Sequence, residues 1–131
     1  MIGLDTNILV RYLKRDDPAQ AARAAALIEA AFNDREELFV SHIVLCELVW
    51  VLQSGYRHSK AEVVKALRLL LSATQLVFED VDQVRRALAR LDAGGGGFAD
   101  YLIGERAVSA GCGRVATFDR ALLADPAFFS P

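Results

Sequence analysis

Asp5, Glu47, Asp100 and Asp119 are the residues of this chain whose type and placement could do chemistry together. Asp5 closes the apolar start Ile2-Gly3-Leu4, after which apolar residues resume at helical spacing through Ile8, Leu9, Tyr12 and Leu13. Asp119 closes Arg114-Val115-Ala116-Thr117-Phe118 in the same layout. In an open parallel sheet the carboxyl ends of the strands border the ligand crevice. Glu47 is the one charge in Ile43–Leu52, the most apolar stretch of the chain, and glutamate is rarely buried without a partner. Asp100 falls in the first turn of a helix that follows a glycine run. Carboxylates that converge repel one another unless a cation lies among them. Oxygen donors without His or Cys suit Mg²⁺ or Mn²⁺ rather than zinc. A site of that kind orients a water, lowers its pKa and stabilises in-line attack on a phosphodiester. Local readings stand beside this one. Asp5 and Asp100 each serve equally well as a helix cap or a dipole partner, and Glu47 could be a solvated glutamate, although no polar face surrounds it.

The elements that must hold these acids follow from local signals. Residues 1–4 read as a short buried strand, with a helix starting straight after Asp5. Asp16-Asp17-Pro18 supplies a capping acid and a proline suited to the first helical position, so Ala19 to Phe32 is expected to be helical. A polar loop, Asn33–Glu37, leads to a strand at Leu38–Ser41 and then to the helix carrying Glu47, which Gly55 ends. Ser59-Lys60-Ala61-Glu62 matches a capping box that opens a helix with Val63, Val64, Leu67, Leu70 and Leu71 on its inner side. A third strand is expected at Gln75–Phe78, with Asp80 and Asp82 as caps and dipole partners of the next helix. Gly94-Gly95-Gly96-Gly97 reads as a flexible connection; no Lys-Ser/Thr follows it, which excludes a P-loop. A helix from Phe98 to about Ala110 stops at Gly111, a fourth strand runs to Asp119, and Ala121–Leu123 makes a helical turn. Ala127–Phe129 is expected as an edge strand. This order implies an α/β sandwich: a mostly parallel sheet of four or five strands with helices on both faces.

With 131 residues, just over half of them hydrophobic, the chain is expected to form a single domain over 1–131. No apolar run reaches the ~18 residues of a membrane helix. The start lacks the basic-then-apolar layout of a signal peptide, so a cytoplasmic location is expected. Cys46 and Cys112 lack metal-ligand spacing and are expected as buried free thiols. The net charge of −2 argues against a broad electrostatic grip on nucleic acid, but leaves room for a nuclease whose metal ions supply local positive charge.

Asp5-Thr6-Asn7 after a strand, Glu47 in an apolar helix, Phe98-Ala99-Asp100 and Thr117-Phe118-Asp119 together resemble the PIN-domain ribonucleases. The compact length is similar to that of the VapC-like toxins of bacterial and archaeal toxin–antitoxin pairs. The resemblance covers essentially the whole chain. It implies a PIN-like three-layer sandwich in which Asp5, Glu47, Asp100 and Asp119 hold one or two Mg²⁺ or Mn²⁺ ions. It also implies that Thr6 and Asn7 support the first carboxylate, and that Thr117 braces the last acid or a bound water. The implied activity is endonucleolytic cleavage of RNA, often tRNA or rRNA. The implied partners are a cognate antitoxin and a second copy of the chain in a homodimer, with no membrane.

Three other functions share parts of the pattern. A haloacid-dehalogenase-type phosphatase needs Asp-x-Asp after its first strand and a later lysine, whereas Asn7 stands here and Lys14, Lys60 and Lys65 are the only lysines. The same shortage weakens the reading as a phospho-accepting receiver domain, which needs paired acids after its first strand and a lysine near its last. A PIN-like module retained only for binding is disfavoured by the presence of all four acids. Metal-dependent RNA cleavage separates the enzyme from the module, and labelling by acetyl phosphate separates it from the other two.

Overall fold

The computed structural model describes residues 1–131, which form two compact units, Met1–Glu79 and Asp80–Pro131. The first alternates strands with helix pairs: β1 (Ile2–Gly3), α1 (Thr6–Lys14), α2 (Pro18–Asp34), β2 (Leu38–Val40), α3 (His42–Ser54), α4 (Lys60–Leu71) and β3 (Leu76–Phe78). Its strands pair in parallel in the order β1-β2-β3, with Ile2 opposite Leu38, and Leu38 opposite Leu76. Parallel neighbours require a long crossover, and each crossover here is a pair of helices.

Local chemistry sets the helix limits. Asp17 accepts from the Gln20 N–H at 3.1 Å, and Pro18 opens α2, where its missing N–H costs nothing. The Ser41 hydroxyl caps α3 through the Val44 N–H. Ser59 and Glu62 close a reciprocal capping box on α4. α1 and α2 stop at Arg15 and Arg35, both in the left-handed conformation. Leu9, Leu38, Val40, Leu45, Leu48, Leu52, Val63, Leu67 and Leu70 form the dry interior of this unit. Each large aliphatic side chain so buried contributes about 1.5–3 kcal/mol. The residues of β1 are themselves exposed, contrary to the expectation of a buried strand. Leu4, just beyond it, is the residue that enters the core.

The second unit comprises α5 (Val81–Ala93), α6 (Phe98–Ser109), β4 (Val115–Ala116), a 3₁₀ turn (Arg120–Leu122) and β5 (Phe128–Phe129). β4 and β5 are parallel, Val115 opposite Phe128, and form a ladder of their own. The strands expected in one sheet of four or five therefore hydrogen-bond as a group of three and a group of two, both parallel. Val84, Leu88, Leu91, Phe98, Tyr101, Leu102, Leu122 and Phe128 fill the interior. Gly104 on α6 leaves room for the Phe128 ring, which a Cβ would approach to 3.1 Å.

The glycine run is not the slack connection its composition suggests. The Tyr101 hydroxyl accepts the Gly96 N–H at 2.9 Å. A Cβ at Gly94 would collide with that hydroxyl, and one at Gly96 with Leu122. The backbone is wrapped over a buried tyrosine, and at Gly94 and Gly96 only a residue without a side chain fits.

Candidate functional site

In the first unit, Asp5 follows β1 and caps α1, its Oδ1 accepting the Thr6 N–H at 2.8 Å. Thr6 is 5% exposed, and its hydroxyl donates to Glu47 Oε2 at 2.5 Å. One buried residue thus ties together two carboxylates that lie 42 positions apart, Asp5 through its backbone and Glu47 through its side chain. The resemblance assigned Thr6 to the first acid alone; its hydroxyl serves the second. Asn7 is exposed, makes no hydrogen bond to Asp5, and lines a groove of about 390 Å³ with Arg11, Gln20 and Arg23.

Glu47 lies on the open side of α3. That helix buries Leu45, Leu48, Val49 and Leu52, one continuous stripe at helical spacing. The opposite stripe carries Ile43, Glu47 and Trp50, with Ile43 74% and Trp50 68% exposed. Two of the apolar neighbours that made Glu47 look enclosed in the sequence, Ile43 and Trp50, are themselves in solvent. Cys46 beside it is half-buried, and burial raises its thiol pKa, which keeps it protonated and unreactive. Cys112 is exposed in the turn after α6, so both thiols are free but neither is fully buried.

In the second unit, Asp100 occupies the first turn of α6, and its Oδ2 accepts the Gly97 N–H at 2.9 Å. Asp119 follows β4 and caps the 3₁₀ turn, accepting from the Ala121 N–H at 2.9 Å. The Thr117 hydroxyl oxygen accepts the Asp119 N–H at 3.0 Å, fixing the backbone that carries the acid. Phe118, between them, is 89% exposed.

The PIN-domain family model matches residues 2–128. The chain belongs to the PIN-domain family. It is also 26% identical over 117 residues to the VapC ribonuclease of Aquifex aeolicus (strain VF5), covering 89% of this chain and 86% of that protein. Membership sets aside the phosphatase and receiver readings, which belong to other folds.

Within this PIN-domain chain the four acids share one electrostatic property: none is in a salt bridge. Each has one oxygen held by a backbone N–H or a hydroxyl, which orients the group without neutralising it. Glu105 on α6 is the contrast. It is 5% exposed and receives Arg86 at 2.7 Å and Arg90 at 3.2 Å, while Arg90 also reaches Asp125 at 3.5 Å. Its hydrogen bond and charge raise the Arg86 pKa. Sequence reading passed over Glu105, because pairing with arginines 15 and 19 positions earlier leaves no local signature.

Neither unit by itself assembles three or more acidic, His or Cys side chains that could hold a metal ion. The donor chemistry nevertheless fits a hard cation. Mg²⁺ is commonly held by one or two carboxylates and keeps several waters. Asp5 and Glu47, both anchored to Thr6 and uncompensated, meet that requirement.

Proposed function

We propose that this PIN-domain protein is a Mg²⁺- or Mn²⁺-dependent endoribonuclease, the toxin of a toxin–antitoxin pair. The observation that carries the reading is the Thr6 link between Asp5 and Glu47. A buried threonine that fixes two exposed, unpaired carboxylates, one through its N–H and one through its hydroxyl, serves no evident packing need, but it pre-orients two anionic ligands. The VapC ribonuclease relative supports the activity and, with it, an RNA substrate such as tRNA or rRNA. In this reading Asp5, Glu47, Asp100 and Asp119 are the metal-binding acids, as the family resemblance implies.

When bound, the metal supplies Lewis acidity and a more acidic water. The chain's own residues do the rest. Thr6 holds Glu47 Oε2 by hydrogen bonding, leaving Oε1 to bind. The Thr6 N–H fixes Asp5 through Oδ1, leaving Oδ2 to bind. Thr117 holds the backbone of Asp119, and the Gly97 N–H orients Asp100. Uncompensated acids would repel RNA unless the cation were present, which couples substrate binding to metal. A cognate antitoxin would silence the enzyme by covering these acids, and the cell compartment is the cytoplasm. A homodimer is supported by the alanine-rich α2, on which Phe32 is largely exposed.

Purified protein should cleave RNA with Mg²⁺ or Mn²⁺ and lose all cleavage in excess chelator. Cleavage undiminished by chelator would end the metal mechanism, and RNA binding without any cleavage would favour a non-catalytic module.

A further inference from the structure

A chain of net charge −2 whose candidate site is itself acidic gains little from broad attraction to a polyanion. A single strand offers a second handle, the flat faces of its bases, which stack on aromatic side chains whatever the sequence. Three aromatic side chains of this protein are exposed: Phe32, Trp50 and Phe118. Two of them stand beside a candidate ligand acid. In the first unit Trp50, 68% exposed, follows Glu47 by three positions on the open stripe of α3. Residues so spaced are neighbours on a helix surface, with Cβ atoms about 5–6 Å apart. In the second unit Phe118, 89% exposed, directly precedes Asp119. Packing accounts for neither ring. α3 docks through Leu45, Leu48, Val49 and Leu52, and the 3₁₀ turn through Leu122. Tryptophan is highly buried on average, so a ring left in water beside an uncompensated carboxylate calls for another account.

We propose that Trp50 and Phe118 are base-stacking residues, each holding a base of an RNA strand whose phosphate is drawn to the metal-binding acid beside it. The proposal rests on the ribonuclease reading above. On α3 the spacing of ring and acid matches the reach from a phosphate to the base of its own nucleotide. A second copy of the chain fits this stripe less well. Interface cores are depleted of charge, and pairing the stripe with its copy would bury Glu47, whose one partner is the Thr6 hydroxyl. A base can lie on a ring only once it has left a duplex, and sequence-tolerant stacking of that kind is how unpaired RNA is held. The two rings therefore define a substrate class: RNA with unpaired bases at the scissile bond, in a loop, bulge or single strand. They select for accessibility of the bases, while choice among sequences lies elsewhere.

The test is filter binding of an end-labelled single-stranded RNA of roughly 15 nucleotides, within the usual site sizes for such proteins. Ca²⁺ replaces Mg²⁺, because it too takes oxygen ligands, and a denaturing gel checks that the RNA stays intact. Trp50→Leu keeps an apolar side chain but removes the flat face. It should bind about five- to 100-fold more weakly, the loss usual for one stacked base. Trp50→Phe should stay within about threefold of the parent, since the smaller ring still stacks. Phe118→Leu and Phe118→Tyr should divide in the same way. In all four variants the slope of log affinity against log salt should match the parent's, because no phosphate contact is lost. A fully paired RNA of the same sequence should bind the parent and the leucine variants alike. Melting temperatures should agree as well, the rings being outside the core. A leucine variant that binds the single strand as tightly as the parent overturns stacking at that position. Equal weakening by leucine and by the aromatic replacement does the same. If Trp50→Leu changes sedimentation but not RNA affinity, the stripe belongs to a second protomer and the proposal falls. A parent that cleaves RNA with Mg²⁺ but fails these comparisons loses only the stacking. A parent that neither binds nor cleaves loses the ribonuclease reading itself.

Discussion

Glu47 on α3 and Glu105 on α6 are both glutamates in apolar helices, and the protein treats them in opposite ways. Glu105 is buried and meets two arginines. Glu47 is exposed, meets no cation, and is held by one hydroxyl. Charge inside a protein must be compensated or it destabilises the fold, so Glu105 is satisfied within the chain. Glu47 is left with its charge available to something the chain does not contain. The difference separates an acid that stabilises the fold from one that awaits a ligand.

The comparison breaks most directly at Glu47. Glu47→Gln should lower RNA cleavage by at least ~10²-fold, the loss expected when a charged group acting on the transition state is removed. Its melting temperature should stay close to the parent's, because the Thr6 hydroxyl can still donate to the amide oxygen. Equal activity in parent and variant would make Glu47 an ordinary surface residue.

Glu105→Gln should do the reverse. It removes the charge between Arg86 and Arg90 and should cost about 1–3 kcal/mol in a denaturant titration. Cleavage by the protein that remains folded should be retained. A fold unaffected by this change would mean that solvent compensates both arginines.

Thr6→Val sharpens the contrast within the site, keeping shape while removing the donor to Glu47. Groups that orient a metal ligand typically matter by about 10- to 100-fold, so activity should fall by that order. Thr6→Ser should recover most of it. A valine variant as active as the parent would leave the link without a function.

The smallest effect concerns pH and lies outside both sites. The Tyr56 hydroxyl donates to Asp16 at 2.7 Å, and this bond lowers the Asp16 pKa while raising that of Tyr56. A carboxylate with a depressed folded pKa stabilises above its unfolded value and loses that contribution as pH falls through the folded one. A raised tyrosine stabilises below its unfolded value near 10 and loses the contribution as pH rises through its folded pKa. Tyr56→Phe should therefore melt slightly lower than the parent at neutral pH. The gap should close in acid below the ordinary aspartate range and again in strong alkali. A pH-independent gap would assign the loss to packing instead.

What could be read from the sequence divides along the same line of reach. Asp17-Pro18, Ser41 and the Ser59–Glu62 box act within one helical turn, and each caps where its local chemistry indicates. The strand positions were legible too, within three residues at their ends. Partners distant in the chain were not. The Thr6–Glu47 bond, the Glu105 ion pairs and the division of strands into two ladders have no signature in any short window. Glu47's surroundings misled for a different reason. α3 is apolar on its exposed stripe as well as its buried one, so periodicity could not tell which way the acid faced. Composition likewise misrepresented Gly94–Gly97, because small residues mark both slack chain and tight contact.

The exposed stripe of α3 gives the molecule an optical property. Trp50 is the only tryptophan in the chain and stands one helical turn from Glu47 on the same open stripe. All of the protein's indole emission therefore originates at one solvated point beside a candidate ligand acid. Whatever comes to rest on that stripe, whether nucleotide, inhibitor or second protomer, displaces water from the ring and changes the colour or intensity of its light. Occupancy of this surface can be followed in the unlabelled protein, in real time and in the absence of turnover.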